Sequence, residues 1–130
     1  MNDLATPDPE LVVIIPIFKH SGLLAEAVES VLKQQFTRGL HLILVNDGCP
    51  FSETHELCQD YAFAYPEVVT YLRQSNDGLS AARNSGIRHV LEYIPSAEAI
   101  YLLDADNRIR PHSLSRAKAS LDADPSIDWI

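Results

Sequence analysis

The residues with the plainest capacity for chemistry are Asp104 and Asp106, two carboxylates separated by Ala105 directly after the apolar stretch 99–103. In extended chain, residues i and i+2 point to the same side, so the pair can converge on one hard cation. Oxygen ligands of this kind suit Mg2+ or Mn2+, which binds through one or two carboxylates plus substrate phosphates. Such a cation neutralises a diphosphate leaving group as the bond to it breaks. A lone Asp-x-Asp also describes an ordinary acidic loop with an Asp helix cap, so the elements around it have to decide.

Three further residues have types and places that suit a ligand. Asp47 closes an apolar run and is followed by Gly48, so its carboxylate can face a crevice and accept from a ribose hydroxyl or a base N–H while the backbone turns. An Asx-turn accounts for it equally well. Asn76, in Asn76-Asp77-Gly78, precedes a helical stretch, and Arg83 falls on that helix's second turn. The helix N-terminus and Arg83 can hold an anion or brace the acidic loop; an N-cap and a solvated arginine are the plainer alternatives.

The formal net charge of -8 excludes long-range attraction to nucleic acid or an anionic membrane. A small phosphorylated ligand stays compatible where a cation or a helix N-terminus supplies positive field locally. The chain is 46% hydrophobic, yet it has no apolar run of the roughly 18 to 20 residues that span a bilayer and no basic-then-apolar leader. The expectation is a cytoplasmic chain without a membrane segment. Cys49 and Cys58 lack C-x-x-C spacing and read as free thiols. His20, His41, His55, His89 and His112 include no i, i+4 pair on one helix, so no zinc site follows.

The elements that must position these groups follow a rhythm. Residues 1–10 read as a flexible N-terminal arm, and 11–130 as one domain. A β-branched run over 11–15 ends at Pro16 and predicts a strand buried on both faces. A helix follows from Ser21, its N-cap, with Leu24, Ala27, Val28 and Val31 at helical spacing. A strand over 40–45 and a helix opened by Ser52 repeat the unit. A strand over 68–72 leads to a helix over roughly 78–94 that Pro95 ends. The strand over 99–103 and a helix opened by Pro111 come next, and 127–130 starts another extended segment. The fold class is therefore α/β, a mostly parallel sheet with helices on both faces. In such sheets a ligand lies outside the carboxyl ends of the strands, where the strand order reverses.

Five segments, in order, carry a resemblance: Val13-Ile14-Ile15-Pro16-Ile17-Phe18; Glu29-Ser30-Val31-Leu32 with Gln34-Gln35; Leu44-Val45-Asn46-Asp47-Gly48; Asn76 through Ile87; and Leu102-Leu103-Asp104-Ala105-Asp106. Together they resemble the inverting family 2 glycosyltransferases of the GT-A fold, a Rossmann-like nucleotide-binding domain. The resemblance implies that Pro16 and Phe18 line a base pocket and that Asp47 contacts base or ribose. It further implies that Asp106 binds Mn2+ or Mg2+, with Asp104 acting through ribose or water. The implied ligand is a nucleoside-diphosphate sugar, with a UDP-sugar favoured, and the sugar passes to a glycan or other hydroxyl acceptor. Two departures stand out: the family's common Asn is Lys19, and the first Asp of its usual Asp-Asp-Gly is Asn46.

Inverting transfer needs a general base, and in the family it comes from an acceptor-binding half further along than Ile130. The expectation is therefore a donor-binding part of a truncated domain, with no catalytic residue assigned. A noncatalytic nucleotide-sugar sensor is the alternative. A sugar nucleotidyltransferase is a weaker one, because the segment from Pro16 to Gly22 is not the Gly-rich basic loop it would need.

Overall fold

The computed structural model describes residues 8–19, 21–35 and 39–126. Four strands alternate with four helices: β1 Leu11–Ile17, α1 Ser21–Leu32, β2 Leu40–Asp47, α2 Ser52–Ala64, β3 Val69–Gln74, α3 Leu79–Tyr93, β4 Ala99–Leu102 and α4 Ser113–Ala123. All pairings are parallel and the order is β3-β2-β1-β4. The α/β class and the two-faced cover are as expected. The order reverses between β1 and β4, which puts the crevice of such a sheet at their carboxyl ends.

Burial explains the apolar runs. Val13, Ile15 and Ile17 of β1 pack with Leu24, Val28 and Val31 of α1, Cys58 of α2 and Leu114 of α4 on one face. Val12 and Ile14 pack with Ala82 and Val90 of α3 on the other. Alternate residues serve opposite faces, so a strand covered on both must be apolar throughout. At Gly86 a Cβ would come 2.7 Å from Ile14 Cγ2, so only glycine lets α3 approach this closely.

Several boundaries differ from expectation for physical reasons. β1 does not end at Pro16 but runs through it to Ile17. Ile14 O accepts from Leu103 N–H, so the even residues of β1 address β4, and the missing N–H of Pro16 faces the space past the last β4 pairing at Leu102. No ladder bond is lost there. α4 opens at Ser113, with Pro111 and His112 in the turn before it. Ser21 is already inside α1 instead of capping it. Of the N-terminal arm, residues 9 and 10 are tied down: Ser96 Oγ donates to Pro9 O at 2.7 Å, Glu10 N–H donates to Gly39 O at 3.0 Å, and Glu98 N–H donates to Glu10 O at 2.8 Å. The extended segment read over 127–130 lies outside the described residues.

The amino ends of the strands are held by charge. Lys118, with its side chain 2% exposed, places its ammonium 3.0 Å from Glu98, 2.6 Å from Asp122 and 4.0 Å from Glu10. A charge this buried is tolerable because three carboxylates surround it, and hydrogen bonds to Asp122 and Glu98 raise its pKa.

Candidate functional site

At the carboxyl end of β4 the chain turns at once. Asn107 N–H donates to Asp104 O at 3.0 Å, closing a turn over Asp104-Ala105-Asp106-Asn107. The extended geometry assumed for the two carboxylates is thereby corrected: the turn presents them, with Ala105 buried between two exposed aspartates. Asp104 Oδ1 takes a 2.9 Å hydrogen bond from Arg83 Nη2 of α3. Asp106 borders a cavity of about 230 Å3 with Leu23, Glu26, Asn107 and Arg108. Among the described residues, no group of three or more His, Cys, Asp or Glu side chains is arranged to hold a metal. Two exposed carboxylates fit a hard cation that completes its shell with water and phosphate oxygens.

The segment that follows the turn is anchored by Ser30 of α1 and by Gln34 and Gln35 just past its end. Ile109 N–H donates to Ser30 Oγ at 3.1 Å, Gln34 Nε2 donates to Arg110 O at 2.6 Å, and Leu114 N–H donates to Gln34 Oε1 at 3.1 Å. Gln35 N–H adds a bond to Pro111 O at 2.9 Å. Ser30, the Gln34 side chain and the Gln35 backbone thus receive the chain as it returns from Asp106. Helical spacing alone did not assign them that work; an uncharged polar residue on an otherwise buried stripe was the available signal.

Asp47 is fully buried and has a different occupation from the one expected. Gln74 Nε2 and Asp77 N–H donate to Oδ1 at 2.8 and 2.9 Å, while Asn76 Nδ2 and Gly78 N–H donate to Oδ2 at 2.9 and 3.0 Å. Two donors on each oxygen fill its in-plane lone pairs, so a ribose or base contact requires one of them to be displaced. The α3 N-cap is Gly78, without a side-chain cap. The acid at that N-terminus, where the helix dipole favours negative charge, is Asp47 from β2. Asn76, expected beside a ligand, turns its amide onto Asp47.

Pro16 is buried and Phe18 half-buried, with the Lys19 ammonium 5.2 Å from the Phe18 ring centroid. Lys19 has φ 62, the left-handed region that asparagine tolerates better than lysine, so the lysine at this position carries a backbone cost. Lys19 N–H lies 3.4 Å from Cys49 Sγ, and Thr54 Oγ1 lies 3.2 Å from the same sulfur. Burial pushes the Cys49 thiol up, but its hydrogen bonds with Thr54 and with the backbone at Phe51 and Lys19 together bring it below its ordinary value.

Gly48, with φ 71, lets this loop touch the next one: a Cβ there would come 2.5 Å from Asn76 N. The ends of β1, β2 and β3 therefore meet around Gly48 and Cys49. Beneath them Asn46, 2% exposed, accepts from Cys49 N–H at 2.9 Å and donates to Tyr71 Oη at 3.0 Å, and Tyr71 Oη lies 2.9 Å from His55 Nδ1. Burial holds the Tyr71 phenol above its ordinary pKa, with the Asn46 bond opposing.

Comparison with known proteins agrees with this fold. The sequence matches the family model "Glycosyl transferase family 2" over residues 12–129. It is 35% identical over 98 residues to the minor teichoic acid biosynthesis protein GgaB of Bacillus subtilis (strain 168), covering 75% of this chain and 10% of that protein. It is 34% identical over 104 residues to GgaA of the same organism, covering 78% and 22%. Among solved structures, the mannosyltransferase PcManGT from Pyrobaculum calidifontis, in complex with GDP-Man and Mn2+, superposes with a TM-score of 0.75 at 23% identity, over 96% of this chain and 36% of that one. S. aureus TarS 1-349 in complex with UDP gives 0.71 at 20% identity, over 88% and 32%. At these identities the likeness is one of fold, the GT-A arrangement. The chain spans between about a tenth and a quarter of the two curated relatives' lengths. No described helix is long and apolar enough to cross a membrane.

Proposed function

The chain belongs to glycosyl transferase family 2, and we propose that the crevice at the carboxyl ends of β1 and β4 binds a nucleoside-diphosphate sugar together with Mn2+ or Mg2+. The observation that carries this reading is the acidic turn at the strand-order reversal, where Asp104 and Asp106 stand exposed beside the end of β1. Asp106 holds the cation. Asp104, its Oδ1 already bonded to Arg83, orients the turn and offers its second oxygen to ribose or water. When bound, the cation supplies positive charge to the leaving diphosphate, which a chain of net charge -8 otherwise lacks.

Pro16 and Phe18 form the base side of the crevice, and Asp47 shapes it by pinning the 75–78 loop and the start of α3. The solved neighbours described with UDP and with GDP-Man and Mn2+ support a nucleotide-sugar ligand, and UDP-sugar is the one we favour. The sugar passes to a hydroxyl acceptor with inversion, the acceptor site and the general base being supplied outside residues 1–130. Calorimetry with UDP, GDP and dTDP in Mn2+ tests the reading, repeated after chelation. UDP binding that chelation removes is expected; no binding of any nucleoside diphosphate with metal present overturns it.

A further inference from the structure

We propose that Asn46 is a positioning residue that holds the junction of the strand-end loops through a hydrogen-bond relay of fixed direction, running from Cys49 through Asn46 and Tyr71 to His55. Its bearing on ligand affinity rests on the donor-site reading above; its direction does not.

The direction follows from what each atom can do. A backbone N–H only donates, so the Asn46 atom facing Cys49 N at 2.9 Å is the carbonyl oxygen. The amide nitrogen must then face Tyr71 Oη at 3.0 Å, and an amide nitrogen does not accept. The phenol oxygen is therefore an acceptor toward Asn46, and its own proton is available to His55 Nδ1 at 2.9 Å. An imidazole nitrogen that accepts carries no proton, so neutral His55 is protonated on Nε2. With Asn46 2% exposed, neither end of its amide has water as a substitute partner.

The consequence falls on the site. Cys49 meets Lys19 at the end of β1, and its neighbour Gly48 presses on Asn76 at the end of β3. The relay thus fixes, from α2 and β3, the residue around which three strand ends assemble. An aspartate at position 46 accepts only, so Tyr71 would donate to it and His55 would have to donate from Nδ1. Choosing carboxylate over amide leaves the Cys49 link as it is and reverses the two links through Tyr71 to His55 without changing the relay's length.

Nitrogen-15 NMR of the labelled chain at mildly alkaline pH reads the His55 tautomer directly, and calorimetry reads UDP affinity with Mn2+. Wild type is expected to carry the proton on Nε2 and Asn46→Asp on Nδ1, with UDP affinity in that variant kept within about threefold because every link re-forms. Tyr71→Phe, which keeps the ring and strands the Asn46 amide, is expected to weaken UDP about tenfold. A His55 proton that stays on Nε2 in Asn46→Asp overturns the relay, as does Tyr71→Phe with wild-type affinity. If wild type binds no nucleoside diphosphate, the donor-site reading fails while the tautomer exchange still decides the relay's direction.

Discussion

Arg83 on the second turn of α3 reaches across the sheet end to Asp104 at 2.9 Å, joining a helix on one face to the acidic turn after β4. The side chains are 29% and 54% exposed, so solvent screens the pair and its contribution to stability is at most about 1 kcal/mol. Its consequence is orientation. Arg83→Ala is expected to leave the melting temperature nearly unchanged and to weaken metal-dependent UDP binding about tenfold by freeing the turn. Affinity equal to wild type would show that the turn holds itself.

Asp106 is exposed, and no described side chain bonds to it, so removing its carboxylate costs the fold little, within about 0.5 kcal/mol. Asp106→Ala should therefore melt like the parent and lose the chelator-sensitive part of nucleotide affinity. A variant that binds UDP and Mn2+ as before would move the metal site elsewhere.

Asp47 predicts the opposite pattern. Asp47→Ala strands two side-chain amides and two backbone N–H groups at the start of α3. Part of that loss is made good by water, because residues 76–78 are exposed, and we expect destabilisation of about 2 to 4 kcal/mol in urea. Asp47→Asn should recover little, since its amide nitrogen would face N–H donors. A cost below about 1 kcal/mol would return the carboxylate to the ligand.

These residues show what was legible in the sequence. Apolar runs such as 11–15 and 40–45 announced buried parallel strands, because both faces demand the same residue types. Aspartates after strands marked the crevice, because a carboxylate at such a place needs a reason. The bonding of each carboxylate was hidden: the donors of Asp47 come from residues 27 to 31 positions away. The run of β1 past Pro16 was equally hidden, since it depends on where β4 stops pairing. The Asn46 relay joins β2, β3 and α2, and no local spacing records it.

The two cysteines should answer alkali differently. Burial raises the Cys58 thiol from 9.0 to about 12, so the folded state keeps a proton that the unfolded chain gives up near 9.0. A group raised in this sense contributes stability that is full below its unfolded value and lost as pH rises through its folded value. Tyr61, raised from 10.0 to about 12 by burial and by its bond to Glu29, acts in the same direction from a higher starting point. The urea midpoint should fall between pH 9.0 and about 12, and Cys58→Val should flatten the first part of that fall while Tyr61→Phe flattens the later part. Cys49 is lowered, so its contribution runs the other way, present above its unfolded value and lost as pH falls through the folded one. Iodoacetamide on the folded protein should consequently label Cys49 and spare Cys58. Equal labelling, or a Cys58→Val midpoint that tracks wild type through the whole range, would show that burial does not control these thiols.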